Sequence, residues 1–100
     1  MISIVVPVFN EEENMEAFYQ AICSVMEKLP HSFELIFVDD GSKDATPMVI
    51  DRLSQKDSRV RGLILARNFG HQIALSCGLD HAEGDAVVTV DGDLQHPPGL

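Results

Sequence analysis

Four β-branched runs alternating with three amphipathic segments predict an α/β fold, a doubly wound and mostly parallel sheet with helices on its faces. The runs at residues 2–8 and 33–38 are nearly continuous in apolar character, as expected of strands covered on both sides. The segments between runs carry apolar residues at helical spacing. Polar and ionisable residues follow each run, at the carboxyl ends of the strands, where ligands bind in such sheets.

Residues 2–8 form the first strand, and Pro7, which has no N–H for a ladder, is expected to mark its end. Asn10 is a candidate N-cap, followed by acidic residues suited to the positive end of a helix. Met15, Phe18, Tyr19, Ile22, Met26 and Leu29 recur at helical spacing, and that helix ends near Pro30. A second strand at 33–38 runs into Asp39-Asp40-Gly41-Ser42. A second helix starts at Asp44 or Thr46 and reaches about Asp57, with Pro47 in its first turn where a missing N–H costs little. The third strand covers 60–65. The third helix carries Ile73, Ala74, Cys77, Gly78 and His81 on one stripe, with Gly84 as its C′ glycine. Gly78 inside it costs roughly 1 kcal/mol against Ala, which close packing on the sheet would explain. Residues 85–90 form the fourth strand.

Composition narrows the function. At 45% hydrophobic the chain is globular in character. Sixteen acidic against seven basic residues, a net charge of −9, disfavour nucleic acid and anionic membrane surfaces as direct partners. No signal-peptide pattern opens the sequence, and its apolar runs fall far below the ~20 residues that cross a bilayer. Cys23 and Cys77 have no partner spacing for a disulfide or zinc site and read as buried free thiols. Pro97-Pro98-Gly99-Leu100 suggests a chain cut short, with any membrane anchor beyond residue 100.

The strand ends carry the chemistry. Pro7, Phe9, Asn10 and Glu11 follow the first strand, and Asp39, Asp40, Gly41 and Ser42 the second. Arg67, Asn68, Phe69, Gly70 and His71 follow the third, and Asp91, Gly92 and Asp93 the fourth. Asp-Gly is also ordinary turn chemistry and Pro97-Pro98 would stop any strand, so the last motif alone reads equally as a turn. Adjacent carboxylates repel and need a partner. Asp39 and Asp40 point to opposite faces if the strand continues, so one can be structural and the other functional. Asp91 and Asp93 can reach the same side and hold a hard divalent ion, which lets an acidic site accept a diphosphate.

Three motifs together resemble a known family: Ile4-Val5-Val6-Pro7-Val8-Phe9-Asn10-Glu11-Glu12, Val38-Asp39-Asp40-Gly41-Ser42 with Asp44 and Thr46, and Asp91-Gly92-Asp93. The chain is similar to the inverting family-two nucleotide-sugar glycosyltransferases of the GT-A fold, whose N-terminal part is Rossmann-like. Arg67-Asn68-Phe69-Gly70-His71-Gln72 and Asp91-Gly92-Asp93-Leu94-Gln95-His96-Pro97-Pro98 resemble the polyprenyl-phosphate branch, dolichol-phosphate-mannose synthase-like or undecaprenyl-phosphate glycosyltransferase-like. Gly92 departs from the Ala usual there, a small-for-small change.

The resemblance implies that residues 1–100 are the N-terminal nucleotide-sugar-binding part of a glycosyltransferase domain. Pro7, Phe9 and Glu11 would contact base and ribose, with Asn10 shaping the turn. Val38 and Asp40 would line the base pocket, Asp40 accepting a base N–H, while Asp39 braces the loop. Arg67 would neutralise phosphate or position its loop. Asp91 and Gly92 would lie along ribose and diphosphate, and Asp93 would be the main ligand of Mg²⁺ or Mn²⁺, with Asp91 assisting. The implied reaction moves a hexosyl group, with inversion, from a nucleoside diphosphate sugar, UDP being expected, to a polyprenyl phosphate. That acceptor is already anionic and needs no general base, and none is evident. The catalytic part would stand on the cytoplasmic face of a membrane, and a homo-oligomer is compatible with it. Alternatives are transfer to a saccharide hydroxyl, which needs a base, or a phosphoryl-transfer domain. A receiver domain wants its acidic pair after the first strand. A haloacid-dehalogenase-like phosphatase wants Asp-x-Asp there, with a Thr that Leu94 does not supply.

Overall fold

A computed structural model describes residues 1–90 and gives the order β1 (Ile2–Val8), α1 (Met15–Met26), β2 (Phe33–Asp39), α2 (Thr46–Lys56), β3 (Val60–Ile64), α3 (His71–His81) and β4 (Ala86–Thr89). The four strands form one sheet in the order β3-β2-β1-β4, and every pairing is parallel. The chain therefore winds outward from β1 through β2 to β3 and then returns to the other side of β1. That reversal is the doubly wound signature, and it puts the ligand crevice beside β1.

Side chains alternate across β2 and divide the core in two. Phe33, Leu35 and Phe37 join Ile4, Val6, Val8, Met15, Phe18, Ile50 and Leu53 on the face covered by α1 and α2. Ile36 and Val38 join Val5 and Ala74 on the face covered by α3. On the α1 and α2 face, Asp57 takes the Tyr19 hydroxyl at 2.7 Å and the Arg59 guanidinium at 2.8 Å. The Arg59 hydrogen bond, aided by Tyr19, holds the Asp57 carboxyl well below the usual carboxylate range despite burial. The bond to Asp57, followed by burial, pushes the Tyr19 phenol up to about 12.

Gly78 behaves as its cost suggests. A Cβ there would overlap Val5 and press on Val38 at 3.0 Å, so the glycine lets α3 lie directly on the sheet. Both cysteines are free thiols, Cys23 buried as expected but Cys77 only half-buried, at the edge of the α3 face. No helix among the described residues is long and apolar enough to cross a membrane.

Four local expectations change. α1 ends at Met26, with Glu27 as its cap, short of Pro30, and Leu29 lies exposed beyond it. Pro7 does not end β1, which continues to Val8 paired with Asp39. Successive residues of β1 bond to opposite neighbours: Val8 accepts from Asp40 on the β2 side, and Val5 accepts from Val90 on the β4 side. Pro7 thus turns toward β4, and its missing N–H withholds the next rung of that ladder without disturbing β2. Asn10 is not the N-cap of α1. It has φ 51° and bonds to the neighbouring loop, while Asn14 holds the cap position. Gly84 is not a C′ residue, because α3 ends at His81 with Ala82 extended. Its amide donates to Ser3 Oγ at 2.7 Å, and a Cβ would crowd Ser3 and the Met1 carbonyl.

Candidate nucleotide-sugar site

Val8, Asp39 and Ile64 are matched across neighbouring strands, so the loops after β1, β2 and β3 leave the sheet at one level. The first two loops are cross-stitched. Asn10 donates its N–H to Ser42 Oγ at 2.7 Å, and its side-chain oxygen accepts from the Lys43 N–H at 2.9 Å. The Glu11 N–H donates to Thr46 Oγ1 at 2.8 Å, and the Glu12 N–H to Asp44 at 3.3 Å. Asp44 also accepts the Thr46 amide and hydroxyl at 2.9 and 2.6 Å, closing the first turn of α2. These bonds need the left-handed backbone at Asn10, a conformation Asn tolerates better than most residues. Asp44, Thr46 and Ser42 stand in the second motif, but their role as stitches joins residues more than thirty apart, and short polar side chains on facing loops are its only trace in the sequence.

Asp39 and Asp40 divide as their alternation requires. Asp39 is fully buried and accepts the amide and hydroxyl of Ser42, which makes it the brace of its own loop. Burial raises its carboxyl above the usual range, with the Ser42 hydrogen bonds opposing and Asp44 and Asp40 adding repulsion. Asp40 is 6% exposed, and its oxygens accept the backbone N–H groups of Phe69 at 2.8 Å and Gly70 at 3.1 Å. It thereby joins the loop after β3 to the end of β2. Arg67 lies over the Phe69 ring, 4.8 Å from its centroid.

The other named residues take varied places. Phe9 is exposed at the rim, and Glu11 accepts Asn14 Nδ2 at 2.7 Å. Pro7 is buried, and the Val38 side chain is wholly buried beneath α3, so it presents no open surface at the rim. His71 is exposed at the first position of α3. Asp91, Gly92 and Asp93 lie outside the described residues, which end at Val90 where the chain leaves β4 beside β1. Among the described residues no three acidic, His or Cys side chains are grouped to hold a metal ion. None of the ion pairs among them involves Glu11, Asp39, Asp40 or Asp44. Among the described residues the rim is acidic, and its carboxylates are satisfied by hydroxyls and amides.

A parallel sheet whose strand order reverses at β1, with polar loops assembled at its carboxyl edge, defines a doubly wound α/β domain. Residues 3–100 match the model of glycosyl transferase family 2, and the chain belongs to that family. It is 51% identical over 96 residues to the bactoprenol glucosyl transferase of Shigella phage SfV, covering 96% of this chain and 31% of that protein. Among solved structures, S. aureus TarS 1–349 in complex with UDP superposes with a TM-score of 0.76 at 27% identity, over 92% of this chain and 27% of that one. The mannosyltransferase PcManGT from Pyrobaculum calidifontis, in complex with GDP-Man and Mn²⁺, gives a TM-score of 0.74 at 26% identity, over 92% and 27% respectively. The fold is that of GT-A glycosyltransferases, and the chain spans about a third of the length of the curated relative.

Proposed function

We propose that this chain is the donor-binding part of a glycosyltransferase that moves a hexosyl group, with inversion, from UDP-sugar to a polyprenyl phosphate at the cytoplasmic face of a membrane. The observation that carries this reading is the carboxyl rim, where three loops are tied together around carboxylates that have no cationic partner among the described residues. The relative named for bactoprenol favours the lipid acceptor, and the neighbour holding UDP favours the uridine nucleotide.

In this reading Phe9 and Glu11 face base and ribose, with Pro7 and Asn10 setting the backbone of that loop. Asp40 retains a lone pair on each oxygen, since each accepts a single amide, and can take a base N–H. Val38, wholly buried beneath α3, supports the strand end that carries Asp39 and Asp40 and does not itself line the pocket. Arg67 meets the diphosphate, and Asp91 and Gly92 lie along it. Paired carboxylates spaced i, i+2 are hard oxygen donors suited to Mg²⁺ or Mn²⁺, so Asp93 and Asp91 would hold the ion. When bound, such an ion offsets charge on the departing diphosphate. A phosphate acceptor brings its own anionic oxygen, so the chain needs no general base for it.

Calorimetry of the full-length protein with UDP and GDP, each with and without Mn²⁺, tests the reading. Binding of UDP that strengthens with metal and exceeds that of GDP supports it. Failure to bind either nucleotide would overturn it.

A further inference from the structure

We propose that Asp40 is a positioning residue for the loop after β3: by holding the Phe69 and Gly70 amides it sets the Arg67 guanidinium against the donor diphosphate. This rests on the donor-binding reading above and adds to it a link between the base and phosphate ends of the site.

Asp40 is itself immobilised, being 6% exposed and donating its N–H to Val8 O at 2.9 Å. A carboxylate accepting two successive backbone amides fixes a peptide plane as well as a point, because the two oxygens define a direction. The loop has a second seat on the same strand end. Gly41, at φ 74°, lies so close to the Arg67 carbonyl carbon and the Asn68 nitrogen that any Cβ there would overlap both. Residues 40 and 41 together therefore determine where residues 67–70 run. The Phe69 ring, under the Arg67 guanidinium at 4.8 Å, then carries that placement into the side chain. Arg67 is exposed and takes part in no ion pair among the described residues, which leaves its donors open to an anion.

The consequence is specific. A residue that only received the base would affect uridine and UDP alike. One that also places Arg67 governs how much the diphosphate adds. The test uses the full-length protein, with uridine and UDP as probes and amide hydrogen exchange over residues 67–72. Asp40→Asn leaves one acceptor oxygen and turns an NH₂ toward the second amide. Exchange at Phe69 and Gly70 should rise about tenfold or more, and the UDP-over-uridine advantage should fall to that of Arg67→Ala, about a tenfold loss. The Asp40→Asn/Arg67→Ala double variant should lose no more of that advantage than either single. Gly41→Ala keeps the Asp40 carboxylate but displaces the loop, so it should retain uridine affinity and lose the same advantage. It serves also if Asp40→Asn does not fold.

An unchanged UDP-over-uridine ratio in both Asp40→Asn and Gly41→Ala overturns the positioning role, as does full additivity with Arg67→Ala. Wild-type protein that binds neither probe overturns the donor-binding reading instead, a result the variants cannot mimic.

Discussion

The two ends of α3 are both tied to β2 by carboxylates on the same face, and the two ties differ in kind. At the amino edge of the sheet Glu34 accepts the Ser3 hydroxyl at 2.5 Å, the Glu83 amide at 2.7 Å and the Arg61 guanidinium at 3.0 Å. Arg61 in turn donates to His81 O at 2.9 Å. Burial pushes the Glu34 carboxyl up, but those three partners outweigh it and hold it below its usual range. At the carboxyl edge Asp40 accepts two amides and has no cation among the described residues. One end of the helix is closed, with charge matched inside the protein. The other keeps negative charge at the carboxyl rim of the sheet. A buried carboxylate with Arg is a fastening, and one held by amides alone keeps lone pairs to spend on a ligand.

The contrast breaks or sharpens under substitution. The largest effect is expected from Asp93→Asn in the full-length protein, where metal-dependent donor turnover should fall about 10²-fold or more; unimpaired turnover would remove Asp93 from the metal site. Stripping divalent ions with a chelator should weaken UDP binding in the wild type more than in this variant, as read by calorimetry.

Glu34→Ala probes the closed end. It leaves Arg61 facing a half-buried gap and should cost about 2–3 kcal/mol in chemical denaturation, below the full penalty for a buried pair because Arg61 is partly solvated. Nucleotide affinity of the folded protein should not change, the reverse of the pattern expected at Asp40. Gly78→Ala lies between the two ends and should cost about 1–3 kcal/mol by overpacking against Val5 and Val38.

The smallest effects are those of pH, one on the opposite face of the sheet at Tyr19 and one at the closed end. Tyr19 has its folded pKa raised to about 12, so its contribution to stability is full below the unfolded value of about 10. It is lost as pH rises from there through about 12. Tyr19→Phe should flatten that alkaline slope in thermal melts. Glu34 acts with the opposite sign: its folded pKa is depressed, so its contribution holds above about pH 4 and fades as pH falls through the folded value. Glu34→Gln should reduce the acid sensitivity.

Much of the site was legible because the residues concerned are local in sequence. Alternation in a strand placed Asp39 and Asp40 on opposite faces before any coordinates, and they are so placed. The role of Asp39 as a brace was an implication of the family resemblance, and its bonds to the Ser42 amide and hydroxyl agree with it. The grip of Asp40 on Phe69 and Gly70 was not legible, because it joins residues about thirty apart and requires β2 and β3 to end at one level. Asn10 was misread for a related reason. Before a run of acidic residues it looks like a cap, but its partners lie in the next loop, which sequence proximity does not reveal.

By itself the sequence determined the alternation of strands and helices, the parallel sheet, the free cysteines and the line of polar loops at the carboxyl edge. Hydrophobic periodicity is a local property, and it survives without knowledge of partners. Strand order, the passage of β1 through Pro7, the glycine contacts at Gly41 and Gly78, and the division of α3 into a charge-matched end and an acidic end were decided only by tertiary structure. Each depends on which backbone groups, distant along the chain, are brought within hydrogen-bonding or van der Waals distance. Whether a carboxylate is tied to a cation or held by amides rests on that proximity, because Glu34 near the start of β2 and Asp40 just past its end differ in what stands opposite them among the described residues.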